Sequence, residues 1–554
     1  MQPRAIPRHD VALAALVACA GLVTFAPALA GDFVYDDHRQ IVGNPLVQDP
    51  RGWPALWTSG VWAGAGSGSS WYRPLMMSSF ALDRALFGPS AGPAHAVSLA
   101  LFGGVAVSAF ALMRAAGAPR AVAFGAALLG AVHPIQAEAA AWISARCELL
   151  VAAFGLIALL LHDRALRAGT RFSERRDRIA GAGAFLLALC AKESAVAFIP
   201  LFFALDRLRG ASWSPRDVAR RHAPWLVATL AYAALRTHAL GGVSGGIAGA
   251  VDPLGLVAFF GQGAARIVAP LALTISPPEP ARAYGWVGAF VAIAGAGAGA
   301  VAWRARSPLL VALGLALGFL AIAALGAARL GEVADRYLLL PVFATAWLVA
   351  AGVEALRGPA RRAGRIAIGA LALACAALGA THVRSYASDE RLWTDGFERN
   401  PRSVRAALNL GAVYLDRGDS QRAIEWLDRA AALAPNDLEV ELNRAIAIEQ
   451  QGDARTARAR LDALADANPT FWPAALRAGH LALAARDWEA AGRRYEAVLR
   501  VYPLAAEAWA GLGVVRDHEG RRDDARRAIE RSLSLDPGQE NAPALRALLA
   551  RLGS

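Results

Sequence analysis

Lysine is nearly missing from this chain. Its 554 residues hold 57 Lys and Arg together, yet Lys192 is the single lysine. Every other positive charge is an arginine, so a lone ammonium beside Glu193 marks a place where a guanidinium does not serve. Cysteine is scarce too. Cys19, Cys147, Cys190 and Cys375 lie in or beside apolar runs and none has metal-ligand spacing, so they read as small core residues rather than disulfides or ligands. No zinc ligand set and no nucleic-acid-binding signature is present, so the formal net charge of +12 is not read as a nucleic-acid footprint.

What is there is apolar residue. Hydrophobic types make up 56% of the chain and mean hydropathy is +0.35, too apolar for an ordinary soluble protein. Much of it comes in runs near the roughly 20 residues that cross a bilayer. Twelve such segments lie between residues 11 and 382. The first, Val11 to Ala30, follows Arg4 and Arg8 and ends in Ala28-Leu29-Ala30, as a signal peptide would. We read it as an uncleaved anchor because of its length.

Arginines in the short loops set the orientation. Arg164, Arg167, Arg171, Arg175, Arg176 and Arg178 mark 163–178 as cytoplasmic, and Arg207, Arg209, Arg216, Arg220 and Arg221 do the same for 207–222. Arg304 and Arg306, then Arg357, Arg361, Arg362 and Arg365, mark two further inner turns. The 241–253 loop has no basic residue and is placed outside. The signs agree only if 254–272 does not cross fully, so the expectation is eleven full spans plus one irregular segment. The N-terminus then lies in the cytoplasm and the tail outside. Five polar clusters fall on that outer side: the 31–91 loop, the 133–138 turn, Lys192-Glu193, the 276–280 turn, and Glu332 through Arg336. Ionisable groups at membrane depth point to function by default.

After about residue 385 the pattern changes to charged, helix-period sequence. Pro401, Pro435, Pro469, Pro503 and Pro537 stand 34 residues apart, as do Ala423, Ala457, Ala491 and Ala525. Gly418, Gly452 and Gly520 mark the turn within three units and Arg486 stands in the fourth. This is the tetratricopeptide pattern. The chain is therefore expected to be all-α: a polytopic membrane domain over 1–384, a half-repeat linker over 385–402, four repeats over 403–538, and a capping helix over 539–554. The repeats offer a groove for a protein or peptide partner.

The first outer loop opens with Phe33-Val34-Tyr35-Asp36-Asp37-His38. Adjacent carboxylates repel, which raises one pKa and suits a general base. With it go Trp71-Tyr72-Arg73-Pro74-Leu75, the run from His133 to Leu150, Ala191-Lys192-Glu193-Ser194, and Asp335-Arg336-Tyr337. In these segments and in their order ahead of the repeats, the chain resembles the transmembrane and tetratricopeptide-repeat O-mannosyltransferases, C-type glycosyltransferases, in a bacterial-type member. The resemblance implies a C-type fold and a transfer of mannose from a polyprenyl-phosphate donor to a hydroxyl, on protein Ser or Thr. It implies Asp36 or Asp37 as the base, Lys192, Arg336 and Arg73 on the donor phosphate, and His133, Glu138, Glu193 and Tyr72 around the pocket. Glu193 would orient Lys192, and Arg146 and Glu148 would pair with each other or join the pocket. No cofactor or metal is expected, and the implied location is a bacterial inner membrane with the repeats on the periplasmic side. The competing readings are a membrane scaffold whose repeats assemble envelope complexes, and a carrier of lipid-linked sugar.

Overall fold

The computed structural model describes residues 7–65, 71–242, 252–271, 273–331 and 333–553. The expected 241–253 loop falls largely outside them, and Glu332 falls outside them altogether. Among the described residues there is no strand, and the chain divides into two compact units, Met1–Asn400 and Pro401–Ser554.

In the first unit each of the twelve apolar segments is built largely of helix. Seven helical stretches are long and apolar enough to cross a membrane, namely Arg8–Ala30, Ala91–Ala116, Ile143–Leu166, Ala283–Ala305, Leu309–Arg329, Asp335–Ala355 and Gly358–Ala387. The chain is thus an integral membrane protein. The other five segments are shorter or carry charge. Arg120–Val132 has 13 residues and Pro253–Val268 has 16, or about 20 and 24 Å at 1.5 Å per residue. Arg171–Ala191 and Pro215–Leu240 begin in arginine-rich turns. The segment expected to be irregular is a helix to Val268 and then leaves helical geometry before Ala283. It runs tight against the next helix: a Cβ on Gly261 would stand 2.0 Å from the Tyr284 carbonyl oxygen, and one on Gly288 2.1 Å from that of Val257.

The 31–91 loop is more ordered than its sequence suggests. It holds a 14-residue helix, Pro74–Phe87, and several single turns. The compact membrane unit runs to Asn400 and takes in the Asp389–Arg399 helix, which lies within the expected 385–402 linker. Its Leu392 and Trp393 are buried there.

The second unit follows the expected repeats. Four helix pairs run from Val404 to Leu535, and Ala542–Gly553 follows them. Ala423, Ala457, Ala491 and Ala525 are all 0% exposed, which is what lets paired helices approach. Asp419, Asp453 and Asp487 cap the second helices of the first three pairs, accepting from Arg422 N, Thr456 N and Ala490 N. The turns at Gly418, Gly452 and Gly520 have positive φ, and Arg486 takes the same left-handed conformation at φ +57°.

Candidate active site

One segment gathers the candidate residues. From His133 the chain forms a short helix, Gln136–Ala141, then breaks at Trp142, whose backbone is extended (φ −80°, ψ 115°). A single turn, Ile143–Ala145, leads into the Arg146–Leu166 helix. Ala137, Ala139, Ala140, Ala141 and Ala145 are at most 1% exposed, so the broken backbone sits in close packing. The break sends Glu138 and Trp142 to Arg336, Ser144 to Asp37 and Glu148 to Lys192. The Arg146–Leu166 helix is about 30 Å long. Its far end meets the arginine belt, where Asp163 pairs with Arg167 and with Arg209 (2.6 Å).

Ser144 receives the Asp-Asp loop. Asp37 is 0% exposed and both its oxygens are occupied: one accepts from Ser144 N (2.8 Å) and Ser144 Oγ (2.5 Å), the other from Val34 N (3.1 Å). Burial pushes its carboxyl up to about 7 against these three donors, and the neighbouring Asp36 adds the least of the contributions. The raised pKa expected from the pair is therefore a burial effect. Asp36 is the half-buried member.

Three cations come together from three stretches. Arg336 pairs with Glu138, whose second oxygen also accepts Arg336 N (3.1 Å). Lys192 pairs with Glu148. Arg73 pairs with Glu193 at 3.2 Å. Tyr337 lies among them: the Lys192 ammonium stands 4.1 Å from its ring centre and the Arg336 guanidinium 4.6 Å, and Arg336 Nη2 donates to its hydroxyl (3.1 Å). Arg336 also lies 4.7 Å from the Trp142 ring centre, and Arg73 4.9 Å from that of Trp71. Such cation–π contacts hold a guanidinium plane without using its donors. Burial works to neutralise Lys192, but Glu148, Tyr337 and Cys147 together outweigh it and hold the ammonium above the usual lysine range.

Several expected roles change. Glu193 binds Arg73, and Lys192 is held by Glu148 instead. Arg146 and Glu148 do not pair. Arg146 is fully buried on Asp83 (2.6 Å), with bonds to Ser98 Oγ (3.1 Å), Ser79 Oγ (3.2 Å) and the Ala94 carbonyl (2.7 Å). Tyr72 is buried and donates its hydroxyl to the Trp57 carbonyl (2.8 Å), so it braces the outer loop. His133 makes its contact at 3.1 Å with the Ile267 carbonyl and pins the end of the Pro253–Val268 helix. Nearby, Arg266 pairs with Asp335 (2.6 Å).

Sequence reasoning passed over Trp142, Ser144 and Tyr337 although all three lie in the segments it quoted. It also passed over Asp389, placed in the half-repeat linker over 385–402. Asp389 accepts from Tyr35 N (2.7 Å) and contacts His38 Nε2 (2.6 Å), so the residues around Asp36 are tied to the Asp389–Arg399 helix. A cavity of about 720 Å³ lies beside that helix, lined by Pro134, Leu273, His382, Arg384, Glu390 and Asp395 among others.

Comparison with known proteins bears on both units. A family profile described as "Tetratricopeptide repeat" matches residues 371–437 and 476–540. Human protein O-mannosyl-transferase TMTC1 is 36% identical over 162 residues, 28% of this chain and 18% of that protein. Human TMTC4, also named a protein O-mannosyl-transferase, is 32% identical over 170 residues, 27% of this chain and 23% of its own length. The Caenorhabditis elegans protein O-mannosyl-transferase F38B6.6 is 28% identical over 193 residues, 34% of this chain and 27% of its own. The matches thus span about a quarter or less of these relatives. Among solved structures, MamA of Desulfovibrio magneticus is 22% identical with a TM-score of 0.24, covering 27% of this chain and 89% of that one. Ahead of its tetratricopeptide tail the chain carries membrane-length apolar helices, and over the matched stretches it is similar to the protein O-mannosyl-transferases TMTC1 and TMTC4.

Proposed function

We propose that the membrane unit transfers mannose from a polyprenyl-phosphate donor to a Ser or Thr hydroxyl of a protein, and that the repeats recruit that protein. Asp36 takes the proton of the acceptor hydroxyl. The acceptor oxygen attacks the anomeric carbon, the bond from that carbon to the phosphate oxygen breaks, and polyprenyl phosphate leaves with the electron pair. Arg73, Lys192 and Arg336 bear the charge that grows on the phosphate. Glu138, Glu148 and Glu193 fix those cations, and Asp37 fixes the loop that carries Asp36. The acid and the cations cover both ends of the transfer, so the reading asks for no metal or cofactor.

The observation that carries this reading is the meeting of Lys192 and Arg336 around Tyr337, each held by a glutamate of the segment that anchors the Asp-Asp loop, with the Arg73–Glu193 pair beside them. The arginine belt at the other end of the Arg146–Leu166 helix supports an outward-facing site in a bacterial inner membrane, with the repeats outside. The test is transfer itself. Full-length protein in lipid nanodiscs is given polyprenyl-phosphate [¹⁴C]mannose and a Ser/Thr-rich peptide. Label in the peptide, lost in Asp36→Asn, is the expected result. A wild-type protein that leaves the peptide unlabelled while binding it through the repeats would favour the scaffold.

A further inference from the structure

The turn that leads into Asp36 is wound against the preference of its residue. Tyr35 has φ +52°, in the left-handed region that a bulky side chain adopts only where its surroundings impose it. The imposing contacts come from outside the loop. Tyr35 N donates to one oxygen of Asp389 (2.7 Å), and the other oxygen of Asp389 meets His38 Nε2 (2.6 Å). One carboxylate therefore grips the chain one residue before Asp36 and two residues after it. The Tyr35 ring is held 5.6 Å from the Trp142 ring and edge-on to Trp393 at 4.9 Å. Asp32 N donates to the Ala387 carbonyl (3.1 Å), which extends the seam toward the first span. Asp389 itself is set by position: it opens the Asp389–Arg399 helix, whose cap is the Ser388 hydroxyl accepting from Arg391 N (3.4 Å).

Strain of this kind persists only where it is over-determined, and it gathers at sites whose geometry matters. On the other side of Asp36, Asp37 is locked to Ser144. The half-buried carboxylate thus sits between two clamps, one on the Trp142–Ser144 break and one on the helix that closes the membrane unit.

We propose that Asp389 is a positioning residue for the transfer: by holding Tyr35 in its left-handed turn it sets the direction in which Asp36 faces the acceptor hydroxyl. This rests on the reading of Asp36 as the base. Acting through Tyr35 and His38, Asp389 bears on the placement of Asp36, so its loss is expected to act on kcat and leave donor binding alone.

The test uses full-length protein in nanodiscs with polyprenyl-phosphate mannose and a Ser/Thr-rich peptide, comparing wild type, Asp389→Asn and Asp389→Ala. Misplacing a reacting group by about 1 Å can cost about a hundredfold. Asp389→Ala is therefore expected to lower kcat by at least about tenfold, with KM for the donor within about twofold of wild type. Asp389→Asn keeps an oxygen for Tyr35 N and is expected to fall between. Hydrogen exchange should quicken in peptides covering 33–42 and stay unchanged in those covering 146–166. Wild-type kcat in Asp389→Ala, or unchanged exchange over 33–42, overturns the inference while leaving the proposed function standing. Should Asp389→Ala not fold, a kcat for folded Asp389→Asn equal to wild type, with unchanged exchange over 33–42, overturns it equally. No transfer by the wild type sinks the proposed function instead, and the exchange result then stands alone as a statement about the loop.

Discussion

The sole lysine gives the sharpest separation of folding from chemistry. Lys192 and Glu148 are each 7% exposed and paired with each other. Replacing Lys192 with Met leaves a buried carboxylate without its partner, a change that costs about 3–5 kcal/mol. At about 1.2 °C per kcal/mol for a unit of 400 residues, the melting temperature of the nanodisc-embedded protein should fall by about 4–6 °C at a fixed scan rate. Adding Glu148→Gln removes the orphaned charge. Replacing a whole buried pair is often nearly neutral, so the double variant should recover to within about 1–2 kcal/mol of wild type. Transfer should not recover with it. A charged hydrogen bond to the leaving phosphate is worth about 1.5–3 kcal/mol, or roughly 10- to 150-fold in rate. That loss should appear in both the single and the double variant, read as label transferred from polyprenyl-phosphate mannose. A double variant that regains full transfer would show that the ammonium serves only to satisfy Glu148. A single variant that melts with the wild type would show that the pair carries no stability.

Three further outcomes are expected. Asp36→Asn should lower kcat about 10²- to 10⁴-fold, the usual worth of a general base, with an unchanged melting temperature because Asp36 is half-buried and the clamps around it remain. Asp37 should give the protein a pH-dependent stability. Its carboxyl is raised from 3.8 to about 7 by burial, so between those values the folded chain keeps a proton that the unfolded chain has released. That contribution is full below about pH 4 and is lost as the pH rises through about 7, so melting temperature should fall over this window in the wild type and fall less in Asp37→Asn. In the repeats, Arg486→Gly should stabilise by up to about 1 kcal/mol, because a left-handed non-glycine residue costs about 1–2 kcal/mol and glycine's added flexibility takes back part of the gain; thermal melting followed by circular dichroism reads this.

The parts of this protein that repeat or alternate in sequence are legible in sequence. The prolines and alanines at a spacing of 34 residues place the helix pairs because each position has one local job, ending a helix or admitting a neighbour. Runs of apolar residues likewise mark helices, though not which of them cross, since length and end charges such as those of Arg171–Ala191 decide that. The segments holding the candidate site were legible for a different reason: charge is costly among apolar spans, so Lys192, Arg336 and Glu138 stand out. Their pairing was not legible. Glu193 follows Lys192 in sequence but faces Arg73, because the chain leaves its helix at Lys192 and consecutive residues point apart. Asp389 was hidden by the repeat pattern, which reads its helix as half a repeat, whereas its buried face, Leu392 and Trp393, belongs to the membrane unit.

The one-to-one pairing of cations and carboxylates bears on how the proposed reaction would turn over. A sugar phosphodiester carries one negative charge, and the monoester left after transfer carries about 1.5 to 2. Three unpaired cations would hold the product more tightly than the substrate and slow its release. With Glu193 on Arg73, Glu148 on Lys192 and Glu138 on Arg336, the empty cluster carries no formal excess. Arg336 still has Nη2 on a neutral partner, the Tyr337 hydroxyl, and Lys192 has protons beyond the one given to Glu148. Those remaining donors can turn to the phosphate as its charge grows without breaking the pairs that hold the cations in place. Interactions of that kind strengthen toward the transition state more than they strengthen binding of the donor, which is the condition for raising kcat. On this view the three glutamates limit how strongly the site grips phosphate, and the cations' position around Tyr337 matters more than their number.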